Sequence, residues 1–116
     1  MMREEERGLA RRKLDRELRL YRLAGKEKSP TQVLLRMVRQ VVGIPISEVA
    51  RKAGMDRSAV FRLENGEARL SITLRSMKRI ADALDCKVVY GLVPRDRGTL
   101  EEIAERRKAP GNGDQG

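Results

Sequence analysis

Val49-Ala50-Arg51-Lys52-Ala53-Gly54-Met55-Asp56-Arg57-Ser58-Ala59-Val60-Phe61-Arg62-Leu63-Glu64-Asn65-Gly66 is the stretch that decides the fold. It belongs to two short periodic segments, ISEVARKAG at 46–54 and DRSAVFRLENG at 56–66, each closed by a glycine, with Gly54-Met55-Asp56 as the turn between them. Helices that cross steeply over so short a turn need a small residue where they touch, and Ala50 supplies it. Gly54 can take the left-handed conformation that ends the first helix, and Asp56 stands where a cap for the second belongs. Val49, Met55, Val60 and Leu63 then face inward, while Arg57, Ser58, Phe61 and Arg62 face outward.

Upstream, a helix is expected over about 31–42, restarting at Ser29-Pro30-Thr31, burying Leu35, Val38 and Val42 and ending at Gly43. Downstream, Ser71 or Thr73 opens a helix carrying Leu74, Met77, Ile80, Ala81 and Leu84 at three- and four-residue spacings. Residues 87–93, KVVYGLV, are β-branched and aromatic, stop at Pro94, and read as the only strand. The amphipathic segment 9–23 places Leu14, Leu18 and Tyr21 on one stripe. A final short helix fits 99–107, where Thr99 and Glu102 have capping-box spacing, and the tail APGNGDQG is expected to be disordered. The expected organisation is an N-terminal helical arm at 1–28, a helix-turn-helix domain with a terminal strand at 29–94, and a short helix and tail at 95–116.

The 49–66 stretch resembles the Xre-type, lambda-repressor-like helix-turn-helix in its Ala, its turn Gly, the apolar residues that follow and the terminal LENG. LDREL at 14–18 and SITLRSMKRIADALDCKVVYGLVPR at 71–95 extend the likeness to the bacterial family called mobile mystery protein A. The fold implied is all-α, a lambda-repressor-like domain with an N-terminal helical extension and one C-terminal strand. The resemblance also implies a partner, a Fic-domain protein encoded alongside on mobile elements, in an arrangement like a toxin–antitoxin pair. In such repressors the second motif helix enters the major groove, which gives Arg57, Ser58 and Arg62 as base readers. Arg suits that task because its planar fork can bond guanine O6 and N7 together. Phe61 either touches a thymine methyl or packs on a neighbouring helix. Ile46 stands where the family has a phosphate-bonding Gln, so anchoring is expected from Asn65, Arg69, Lys52 or Arg75. Glu64, too close to phosphates for a DNA role of its own, would pair with Arg39 of the preceding helix.

Composition agrees with binding rather than catalysis. The 116 residues hold 26 Lys and Arg against 17 Asp and Glu, a net +9. The excess is +4 over residues 1–28, +5 over 29–94 and zero over 95–116. With no His and one Cys, His-based acid–base chemistry, Cys–His nucleophiles and four-ligand Cys/His zinc sites are excluded, and no enzyme, metal or cofactor is expected. Cys86 reads as a small buried residue. With one Phe, two Tyr and no Trp, the stacking platforms of RNA-binding modules are scarce. No segment reaches the roughly 20 apolar residues of a membrane span, and no signal peptide is evident, so a cytoplasmic protein is expected.

The expected activity is sequence-specific duplex DNA binding by a homodimer that represses its own promoter. Leu14, Leu18, Tyr21, Val89 and Tyr90 are the candidates for a partner or dimer interface. The rival expectation is an inhibitor of the Fic-domain partner in which the helix-turn-helix is mainly a scaffold. Arg36, Arg51, Lys78, Arg79 and Lys87, taken singly, read as solvated charges.

Overall fold

The structure, a computed structural model, describes residues 1–25, 33–96 and 98–108. The restart at Ser29-Pro30-Thr31 and the tail from 109 onward lie outside the described residues. Seven helices are present among those described: α1 Glu4–Glu17, α2 Arg19–Gly25, α3 Leu34–Val42, α4 Ile46–Ala53, α5 Arg57–Ala68, α6 Leu74–Ala83 and α7 Leu100–Lys108. None is long and apolar enough to cross a membrane. The chain divides into two units, Ser29–Val89 and the pair of end segments Met1–Lys28 and Tyr90–Gly116.

The Ser29–Val89 unit is built by α3 to α6 around Leu35, Val49, Ala50, Val60, Ile80, Ala83 and Leu84. Val49, Val60 and Ile80 are completely buried, one each from α4, α5 and α6, which is where the helical periodicity of each segment places its inward stripe. All four helices stop in the same way. The N–H just after a left-handed residue reaches back five residues to a helical carbonyl: Ile44 to Arg39, Met55 to Ala50, Ser71 to Gly66 and Cys86 to Ala81, at 2.8, 3.0, 2.8 and 2.8 Å. The turn needs one left-handed residue. Gly43 and Gly54 provide it with φ of 88° and 68°, but Leu70 and Asp85 provide it at 60° and 57° without being glycine.

Four expectations are corrected here. Gly66 does not close α5, which runs on to Ala68 because Leu70 takes the left-handed position instead. Val42 is 65 % exposed rather than buried, since the inward place one turn after Leu35 is taken by Arg39, which reaches Glu64. Residues 87–93 form no strand: the segment is irregular, and no second extended segment among the described residues offers it a ladder. Its β-branched residues suit a pleated surface, but a surface needs a partner. Cys86 is exposed rather than buried.

In the other unit α1 and α2 follow one another across Leu18, whose φ and ψ of −89° and 4° interrupt the first helix. Arg22 Nη1 donates to the Asp15 carbonyl (2.7 Å), satisfying an acceptor left open at the break. α1 packs on α7. The Asp15 carboxylate accepts from the N–H groups of Leu100 and Glu101 at 2.8 and 3.2 Å, and Thr99 Oγ1 accepts from Glu102 N–H at 3.2 Å, so the first turn of α7 is capped from two sides. Arg11 Nε donates to Glu101 at 3.0 Å and Lys108 meets Glu4 at 3.1 Å. Tyr21 lies so close to Gly91 that a Cβ there would stand 2.7 Å from its ring, a contact only glycine permits.

Candidate nucleic-acid interface

The turn between α4 and α5 is held from both ends. Asp56 Oδ1 accepts from Ala59 N–H (2.8 Å) and from the Ser58 hydroxyl (2.9 Å), capping α5 where the sequence places the cap. The Ala59 N–H, the Ser58 hydroxyl and the nearby Arg62 charge hold the Asp56 carboxyl below its usual range. At the other end Arg79 of α6 donates from Nε to the Ala53 carbonyl (2.9 Å) and from Nη2 to the Gly54 carbonyl (3.2 Å). A cation at a helix C-terminus opposes the dipole there, so Arg79 is no idle solvated charge.

α5 is locked onto α3 by buried carboxylates. Glu64 is completely buried, and Arg39 grips it with two bonds, Nε to Oε2 at 2.8 Å and Nη2 to Oε1 at 3.1 Å. This is the pair that the resemblance implied. That embrace raises the pKa of the Arg39 guanidinium above its ordinary value. Three residues on, Glu67 accepts from the N–H groups of Leu34 and Leu35, both at 2.9 Å, and so caps the start of α3, whose own N-cap Val33 has no side-chain oxygen to offer. Sequence reasoning missed Glu67; the only signal was a second carboxylate at helical spacing from Glu64 on a face otherwise apolar. It also missed Arg36, read as solvated, whose Nε lies 3.3 Å from Glu64, whose Nη2 donates to Asn65 Oδ1 at 2.6 Å, and whose guanidinium lies 5.8 Å from the centre of the Phe61 ring.

With the inner face of α5 so fixed, Arg57, Ser58, Phe61 and Arg62 stand exposed on its outer face, together with Arg69 at its end. Phe61 is 54 % exposed, so its contact with Arg36 leaves much of the ring facing outward. Asn65 is half-buried beside them. Of the interface candidates, Leu14 is 43 % exposed, Leu18 and Tyr21 are half-buried within their unit, and Val89 and Tyr90 are exposed at 66 and 67 %.

Two helices over a three-residue turn, the second anchored by its inner face and presenting arginines on its outer face, have the arrangement of a helix-turn-helix. Residues 35–90 match the helix-turn-helix family, a span that begins within α3 and ends just past α6. No curated protein and no solved structure matches the chain.

Proposed function

We propose that this protein is a sequence-specific, duplex-DNA-binding transcriptional regulator of the cytoplasm, acting as a homodimer on its own promoter. The observation that carries this reading is the placement of Arg57, Ser58 and Arg62 on the exposed face of a helix whose opposite face is pinned by Asp56, Glu64 and Glu67. A rigid helix presenting two guanidinium forks is suited to read guanines, while Asn65 and Arg69 at its far end are suited to phosphates.

The test is a gel shift on the DNA upstream of the protein's own gene. Affinity is expected to fall with salt with a log–log slope of about −0.9 per phosphate contacted, and a flat response overturns the reading. Arg62→Ala relaxes preference at particular base pairs, whereas Arg69→Ala weakens all sequences alike. Equal, sequence-blind losses remove Arg62 from base reading.

Dimerisation is assigned to the exposed apolar pair Val89 and Tyr90. Sedimentation of Val89→Asp as a monomer and of the wild type as a dimer supports it; a monomeric wild type overturns it. The antitoxin-like role with a Fic-domain partner rests on the family resemblance of residues 14–18 and 71–95. Its surface is the α1 stripe, of which Leu14 is open for contact. Co-purification with the partner is expected to survive Arg57→Ala/Arg62→Ala and to be lost in Leu14→Ser. The reverse pattern makes the arm a DNA or dimer element.

A further inference from the structure

We propose that Arg36 of α3 is a positioning residue for DNA recognition: it sets the amide of Asn65 so that its N–H2 group faces a phosphate. The inference rests on the DNA-binding reading above and deepens it.

Glu64 does not need Arg36. Arg39 already supplies it with two short bonds, and the contact from Arg36 is longer, 3.3 Å against 2.8 Å. The shortest bond that Arg36 makes is to Asn65, 2.6 Å from Nη2 to Oδ1. A guanidinium can only donate, so it fixes which end of the amide faces it: the carbonyl oxygen turns toward Arg36 and the N–H2 group turns away. That group donates no bond among the described residues. It is a pair of donors held in one orientation, four residues along α5 from Phe61 and three from Arg62. A phosphate oxygen is an acceptor for such a pair, and two arginines around one carboxylate leave a positive excess beneath it. The same guanidinium lies by the Phe61 ring, so a single side chain of α3 restrains two residues of the outer face of α5.

An arginine that itself touched phosphate would give a different signature from one that acts through Asn65. The probe is a duplex selected from a random-sequence library by the full-length chain, titrated at several salt concentrations with wild type, Arg36→Met, Asn65→Ala and the double variant. Each single variant is expected to weaken binding about three- to tenfold, as the loss of one positioned hydrogen bond does. The double variant is expected to be no weaker than the single ones within about twofold, because both remove the same contact. The salt slope of Arg36→Met is expected to stay at the wild-type value, since Asn65 carries no charge. Multiplying losses, an unchanged affinity in Arg36→Met, or a slope reduced by about 0.9 overturns the proposal, the last by making Arg36 a phosphate ligand itself. Should Arg36→Met prove unfolded by circular dichroism, Arg36→Lys carries the same cycle: it keeps the charge beside Glu64 but lacks the fork that spans Glu64 and Asn65, and the same outcomes decide. A library from which no duplex is retained overturns the DNA-binding reading and this inference with it, whereas a retained duplex bound equally well by the variants overturns the inference alone.

Discussion

α3 and α7 begin with the same device in different surroundings. Each has its first two N–H groups taken by a carboxylate from another helix, Glu67 of α5 for α3 and Asp15 of α1 for α7. Glu67 is buried, next to a core whose central valines and isoleucine are sealed from solvent. Asp15 sits in a unit where the only fully buried residue among its described helices is Gly8, and where exposed ion pairs such as Arg7–Glu4 and Arg106–Asp96 fill the places that apolar side chains take in the other unit. The same bond is therefore costly to lose in one place and cheap in the other, because the penalty for an orphaned donor depends on whether water can reach it.

The sharpest way to break the comparison is Glu64→Ala, which leaves Arg39 facing a cavity and Arg36 without its carboxylate. Removing one partner of a buried pair costs about 3–5 kcal/mol, and amide exchange should show α3 to α6 losing protection together while α1 and α7 keep theirs. Next comes the matched pair of cap deletions. Glu67→Ala is expected to cost about 2–3 kcal/mol and Asp15→Ala about 1 kcal/mol, read as protection lost from α3 and from α7 respectively. Equal costs would show that the two surroundings do not differ as described. Leu70→Gly works in the opposite direction: it relieves a left-handed leucine that is 81 % exposed, and the Ser29–Val89 unit should gain about 1 kcal/mol in urea unfolding.

The smallest effects are those of acid and salt on the end segments. Arg7 and Lys108 lower the Glu4 carboxyl from 4.5 to about 2. A group whose folded pKa is depressed stabilises above its unfolded pKa, so the contribution is intact above about 4.5 and drains as the pH falls toward 2. Protection of α1 and α7 should decline through that window and again in molar salt, which screens exposed pairs. A pH-independent α1–α7 pair would show that these contacts contribute nothing.

Much of this was readable before the structure. The turn glycine, the Asp56 and Thr99 caps and the inward stripe from Val49 to Ile80 follow from local rules, and each stands where those rules put it, while of the two caps open for α6, Ser71 and Thr73, the structure uses Thr73. Apart from the Arg39–Glu64 pair, which the resemblance implied, what escaped was the set of bonds between distant residues. Nothing near residue 34 announces that its N–H is answered at 67, or near residue 100 that its N–H is answered at 15, and a propensity rule sees only neighbours. The end of α5 was misplaced for a related reason: the rule looks for glycine, and a leucine does the work. Residues 87–93 show the converse, a strong local preference with no partner to realise it.

Glu64 and Glu67 stand three apart on α5, one holding the flank of α3 through Arg39 and the other its tip. Together they act as a ruler, and a ruler forbids changes of length. One residue inserted after Asn65 would rotate everything beyond it by about 100° around the helix axis, so only one of the two marks could be met at a time. An insertion after Arg69, outside α5 and α6, leaves both marks in register and costs less, provided that the Ser71 bond to Gly66 that closes α5 is kept. Relatives of this domain should therefore differ by insertions after the ruler and hardly ever within it, and a library of loop insertions scored for folding would trace that boundary residue by residue.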